Sequence, residues 1–248
     1  YFNESIFVTG SPKFEIAVQN GQTSTKTINY YSKSGSIAKF RYQVASGDTT
    51  SELLYTSANS LYLNNGTITD AAGNPAVITL PEPGSQNSLG GNRDIVVDGI
   101  APVVLSVSSS SDNGIYKIND DIFIDIHFSQ HVSVSGTPYI NLETGANNGR
   151  AYYNSGSNTN KLRFKYNISS GHYSNDLEYI SGSNALYGTI RDASYNSVIK
   201  DLPALGSQNS ISGSSDIIID GIIPTVTGVT STAPDSTYKI GDVIDIQI

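Results

Sequence analysis

The chain has no cysteine, no methionine and no tryptophan in 248 residues. Without cysteine there is no disulfide framework, no thiolate nucleophile and no cysteine-based zinc site, and only His127, His131 and His172 remain as imidazole ligands. Methionine is missing even at residue 1, as expected of a chain processed or excerpted from something longer. No apolar run approaches the roughly 18 residues of a spanning helix and no signal peptide is legible, so no membrane insertion is expected. Positive charge is scarce as well: 14 Lys and Arg face 22 Asp and Glu, a net charge of −8, with no local basic cluster. Such a chain repels phosphate backbones and anionic bilayers, which sets nucleic acid aside as a partner and favours divalent cations.

Only 15% of the residues are charged and no Glu/Lys/Leu-rich segment shows helical spacing. Ser, Asn, Gly and Thr fill the remainder, the composition of short strands and polar turns, and the expected class is all-β. Period-two alternation is clear in KLRFKYNI, where Leu162, Phe164, Tyr166 and Ile168 share a face, and in DIFIDIHF, where Ile122, Ile124, Ile126 and Phe128 do. These eight are the expected core. Strands are expected near 102–107, 121–128, 131–134, 138–142, 150–154, 160–166, 176–180, 188–191, 197–200 and 216–219, with SGTP, ETGANNG and SGSS among the turns between them. SELLYTSANSLYL (51–63) and its counterpart at 175–187 leave room for a helical turn.

The chain also repeats itself. NGTITDAAGNPAVITLPEPGSQNSLGGNRDIVVDGIAP (65–102) aligns without a gap with YGTIRDASYNSVIKDLPALGSQNSISGSSDIIIDGIIP (187–224) at an offset of 122, and IYKINDDIFIDI (115–126) with TYKIGDVIDIQI (237–248) at the same offset. YFNESIFVTGSP (1–12) matches HFSQHVSVSGTP (127–138) at an offset of 126. Residue 1 thus corresponds to 127 and residue 248 to 126, as if two whole copies had been cut within one strand. Module boundaries are expected at VVDGIAP and IIDGIIP, where a strand meets an Asp-Gly turn and a proline. Three parts follow: 1–98, a module lacking its first strands; 99–220, a complete module; and 221–248, the opening strands of a following one. Ile240, Ile244, Ile246 and Ile248 of the last part occupy core-type positions, each worth roughly 1.5–3 kcal/mol when buried. They are expected to complete a neighbouring unit, along one polypeptide or by strand addition between subunits, as in donor-strand complementation.

The ordered motifs Y-K-I-(G/N)-D, V-S-V-S-G-T-P-Y-I-N-L-E-T-G, L-R-F-K-Y, D-L-E-Y, G-T-I-x-D-A-A-G-N, G-S-Q-N-S-(L/I) and I-x-x-D-G-I-x-P resemble the bacterial immunoglobulin-like or cadherin-like tandem repeats of giant secreted adhesins and surface filaments. The resemblance covers the whole chain. It implies β-sandwich repeats in an elongated rod, an extracellular location at the cell surface, a structural or adhesive role, and neighbouring repeats of the same protein joined head to tail. It also implies calcium between repeats, held by the aspartate of the D-A-A-G-N loop and that of the D-x-x-A-P linker. Those positions are Asp70, Asn74 and Asp98, and in the second copy Asp192, Asn196 and Asp220. Calcium takes six to eight hard oxygen ligands, which loops rich in Asp and Asn supply. The same residues equally suit Asx-turns and tight Asp-Gly turns, and the second loop reads DASYN, with Tyr195 in place of a glycine.

No G-x-S-x-G elbow, phosphate loop or H-E-x-x-H motif is present, and no acid/base pair stands out, so the chain is not expected to be an enzyme. The alternative role is a carbohydrate-binding surface module, with host or cell-surface glycans stacking on some of the 16 tyrosines, or an S-layer-type coat protein, with sequons at Asn3, Asn65 and Asn167.

Overall fold

A computed structural model describes residues 1–182 and 185–248. The protein is mostly β, with several sheets and two four-residue helices among the described residues. It divides into two compact units. The first comprises Tyr1–Val103, Gln130–Ser133 and Ile190–Ile199; the second comprises Val104–Ser129, Val134–Thr189 and Lys200–Ile248. Through residue 103 the elements are β1 (Phe7–Thr9), β2 (Lys13–Gln19), β3 (Lys26–Ser34), β4 (Ile37–Phe40), β5 (Thr49–Tyr55), β6 (Leu61–Tyr62), β7 (Thr67–Thr69), α1 (Leu89–Asn92) and β8 (Val97–Asp98). Beyond it come β9 (Val104–Ser109), β10 (Gly114–Lys117), β11 (Asp121–Glu143), β12 (Gly149–Ser155), β13 (Thr159–Asn167), β14 (Tyr173–Ser174), β15 (Glu178–Tyr179), β16 (Leu186–Arg191), α2 (Ile211–Ser214), β17 (Ile217–Asp220), β18 (Thr230–Ser231) and β19 (Ile246–Gln247).

In the first unit the main sheet runs β4-β3-β2-β5-β8, with β6 also on β2, and β1 pairs with β7. Alternation along KFEIAVQ turns Ile16 and Val18 into the interior, and Ile6, Leu61 and Ile68 form a buried cluster beside Phe14 and Phe40. In the second unit β12-β13-β11-β15 form the main sheet, joined on β11 by β9 and β16, and β10-β17-β14 form a smaller one. All eight residues expected in the core are at most 1% exposed. On the opposite face of these strands Asp125 is buried as well, held by two bonds from the Arg163 guanidinium, at 2.7 and 2.8 Å. Burial alone would raise its carboxyl, but the Arg163 and Lys161 charges outweigh that and lower it.

Several local expectations change. The strands expected at 121–128, 131–134 and 138–142 are one 23-residue strand, β11, and Gly136 at φ +74° lets the chain continue through SGTP without a turn. Residues 197–200 form no strand, only bridges from Ser197 to Arg191 and from Ile199 to Val103. Residues 51–63 hold β5 and β6 rather than a helical turn; the counterpart at 175–187 includes residues 183 and 184, which lie outside the described residues. The SGSS turn falls at the end of α2. Both helices are capped alike, Ser88 accepting from Gly91 N at 3.1 Å and Ser210 from Gly213 N at 3.3 Å. Strand β10 was not legible because its partner, the parallel strand β17, lies about a hundred residues away.

Segment 221–248 holds only the short β18-β19 pair, and Ile240, Ile244, Ile246 and Ile248 are exposed.

Candidate functional site

The two Asp/Asn loops have the same construction. Asp70 accepts two bonds from Asn74, the main-chain N–H on Oδ1 at 2.8 Å and the side-chain amide on Oδ2 at 2.7 Å. Asp192 accepts the same pair from Asn196, at 2.8 and 2.9 Å. Each loop is closed by its aspartate N–H on the asparagine carbonyl at 3.1 Å. These are Asx-type closures in which one side chain serves as both cap and clasp. The Asn74 amide holds the Asp70 carboxyl below the usual carboxylate range. Gly73 adopts φ +90° and Tyr195 adopts φ +67° at the same place, so the missing glycine is met by a strained tyrosine rather than by a different loop.

The linker aspartates also recur. Asp98 Oδ1 accepts from Ile100 N and Asp220 Oδ1 from Ile222 N, both at 3.1 Å. The glycine that follows each is bonded at both ends to a neighbouring loop. Gly99 N donates to Asp48 O and Gly47 N to Gly99 O; Gly221 N donates to His172 O and Gly171 N to Gly221 O. A Cβ on Gly221 would come within 2.6 Å of Ser169 O, and one on Gly99 would strike Ala45 O. Glycine is needed here for the close approach of two backbones, not for a positive φ.

Three of the six expected residues come together. Asp98 Oδ2 accepts from Ser194 Oγ at 2.9 Å, and Asp98 O accepts from the Asn196 amide at 3.0 Å. Asn196 therefore bonds Asp192 and Asp98 at once, while Asp70 and Asn74 form a separate pair and Asp220 bonds neither loop among the described residues. The orientation of the Asn196 amide is chemically forced, because a carboxylate and a carbonyl both need a donor facing them. Its NH₂ stands between those oxygens and donates to both. Each of these carboxylates has both oxygens engaged with N–H or O–H groups. Among the described residues no group of three or more Asp, Glu, His or Cys side chains gathers elsewhere. The arrangement is a hydrogen-bonded clasp between linker and loop.

A second polar centre was not legible in the sequence. Asp48 is fully buried and accepts from Tyr42 Oη at 2.6 Å, Asn20 Nδ2 at 2.7 Å and Ala45 N at 2.8 Å, and it pairs with the Lys26 ammonium. Burial alone would raise its carboxyl; the Asn20, Lys26, Tyr42 and Ala45 donors outweigh that and hold it far below the usual range. Burial, then the bond and charge of Asp48, push the Tyr42 phenol up. In the second copy the same place has different chemistry. Lys26 lies opposite Ile16, and Gly149 lies opposite the corresponding Leu142. Tyr166 takes the place of Tyr42 and bonds His172 Nδ1 at 2.6 Å, where the first copy has Asp48. Lysine and aspartate have thus been exchanged together for glycine and histidine. Tyr166 fills the vacated space so closely that a Cβ on Gly149 would come within 2.7 Å of its ring.

A similar paired exchange occurs beside the helices. Glu178 is buried and accepts from Ser212 Oγ at 2.8 Å and from three N–H groups of the 206–212 loop at 3.3 Å. Leu54 stands in its place in the first copy, its methyl lying over Gly90, where a Cβ would strike it. The sequence signal for both exchanges was the set of positions where the copies differ in charge.

No family model, curated protein or solved structure matches the chain.

Proposed function

We propose that the chain consists of immunoglobulin-like β-sandwich repeats, part of an extracellular filament, stalk or giant adhesin at the cell surface, structural rather than catalytic, and joined head to tail to further repeats of its kind. The observation that carries this reading is the clasp at Asp98. The linker that closes one copy of the sequence is bonded by Ser194 and Asn196, from the Asp/Asn loop of the next copy. Asp220 sits in the same Asx turn at the end of the second copy, so a further copy would engage it by the same bonds. A linker that serves as a bonding partner for the following module makes a series of modules stiffer than a flexible tether would.

Chains of two, four and six copies test it by small-angle scattering. The maximum dimension is expected to grow in proportion to copy number, and in the four-copy chain Asn196→Ala and its equivalents should shorten the mean dimension by loosening the joints. A radius of gyration that follows flexible-chain scaling, or one untouched by those substitutions, would remove the clasp from the argument. The denatured mass of the native polypeptide separates the two forms of assembly, with about 26 kDa, the mass of this chain, expected of strand-exchanging subunits and a several-fold larger mass of an uncut array.

A further inference from the structure

Each unit carries a groove at the same place in its main sheet, lined by tyrosines and basic side chains. In the second unit the groove has a volume of about 570 Å³ and is lined by Arg150, Tyr152, Tyr153 and Lys165 among others. In the first unit it has about 380 Å³ and is lined by Tyr30, Tyr31 and Arg41 among others. Pairing places the grooves at corresponding positions, since Tyr30 lies opposite Phe40 as Tyr153 lies opposite Phe164; within them Arg41 corresponds to Lys165 and Tyr31 to Asn154, so each groove draws its arginine and exposed tyrosine from different positions of the repeat. No aspartate or glutamate lines either groove, although the chain carries 22 of them and a net charge of −8.

The cations in the grooves fall into two groups. Lys165 is paired with Asp121 at 2.7 Å and Lys26 with Asp48, so neither is available to a ligand. Arg41 and Arg150 have no carboxylate partner among the described residues. Each guanidinium lies over a tyrosine ring, Arg41 at 3.5 Å from the Tyr31 centroid and Arg150 at 4.8 Å from that of Tyr139. Stacking holds the planar group in place and leaves an N–H edge to meet a planar anion. Arg150 gives its Nε–H to Asn141 Oδ1 at 3.3 Å. Beside each arginine stands a tyrosine about half exposed, Tyr31 at 54% and Tyr152 at 47%.

One unpaired guanidinium per groove fits one carboxylate, bound through two parallel bonds. A half-exposed tyrosine face fits a flat ring with apolar C–H groups. A polyphosphate strand, with one charge per backbone unit, would need a row of cations that neither groove has. We infer that each unit holds a subsite for an acidic sugar of the hexuronate type, its carboxylate on Arg150 or Arg41 and its ring on Tyr152 in the second groove and, in the first, on the Tyr31 face that Arg41 does not cover. Two such subsites on one chain make a polymeric uronate a bivalent ligand, held more tightly than a single sugar. The subsites do not depend on the filament reading, and either can fail alone.

Affinity electrophoresis of the full 248-residue chain through gels containing polygalacturonate, dextran, polyglutamate or single-stranded DNA tests the assignment. Polygalacturonate is expected to retard the protein and dextran to leave it unretarded. Arg41→Ala with Arg150→Ala should weaken binding at least tenfold, Tyr31→Ala with Tyr152→Ala should do so about fivefold or more, and either groove altered alone should remove the avidity gain. All four side chains are at least partly exposed, so circular dichroism should be unchanged. Arg41→Lys with Arg150→Lys keeps the charge without the fork and should recover only part of the loss. No retardation by polygalacturonate, equal retardation by polyglutamate or DNA, or binding indifferent to these substitutions would each overturn the assignment.

Discussion

Asp48→Ala removes the acceptor on which Tyr42, Asn20, Ala45 and Lys26 converge in the first unit. Breaking a buried pair by deleting one partner costs roughly 3–5 kcal/mol, because the remaining groups keep their desolvation penalty without compensation. The Lys26 side chain is 26% exposed and can turn towards water, so the low end, about 3 kcal/mol, is expected. Urea unfolding followed by hydrogen exchange of peptides covering residues 13–55 localises the loss to this unit. Importing the second copy's pair makes the test sharper: Lys26→Gly and Asp48→His should each destabilise, and the double variant should lose about 1–2 kcal/mol less than their sum, as expected of contacting partners. The acid limb carries the same information. The folded carboxyl is held below its unfolded value of 3.8, so its contribution is fully present above pH 3.8 and is lost as pH falls through the lower folded value. The first unit should therefore lose stability below about pH 3.8, and Asp48→Ala should flatten that dependence. A cost below about 0.5 kcal/mol, additive single changes, or an acid limb that survives the substitution would refute the reasoning.

Tyr195→Gly relieves a left-handed tyrosine in an otherwise unchanged loop and is expected to stabilise by about 0.5–1 kcal/mol, read from the shift in urea midpoint at constant slope. Gly99→Ala and Gly221→Ala should each cost about 1–3 kcal/mol by forcing two backbones apart, and loss of exchange protection at residues 47–48 and 171–172 respectively would show it. Glu178→Ala leaves the donors around α2 unmet and should cost about 1–3 kcal/mol, whereas Glu178→Leu with Ser212→Gly imports the first copy's arrangement and should cost less. Excess EGTA should leave the thermal midpoint unchanged while Asn196→Ala lowers it, since the amide bridges oxygens that a cation would otherwise draw together; a fall in midpoint on chelation would reinstate calcium at this joint.

The alternation of KLRFKYNI and DIFIDIHF identified the buried face of the second unit because successive side chains of a strand point to opposite faces, a property of the local backbone alone. The repeat, the Asp-Gly linkers and the paired Asp and Asn positions were legible for the same reason: a turn is specified by residues adjacent in the chain. What the Asp70, Asn74, Asp98, Asp192, Asn196 and Asp220 set would do was not, because the decision depends on which groups meet across the fold. Asn196 reaches Asp98 from 98 residues away, and its amide bonds Asp98 and Asp192 at once. Asp48 and Lys26 showed no local signal either, since the burial that makes their pairing strong arises only when β2, β3 and the 42–48 loop assemble around them. Sequence determined which faces are apolar and where the chain turns. Tertiary structure decided which polar groups are satisfied, and by whom, because a hydrogen bond requires a partner in space and sequence order does not supply one.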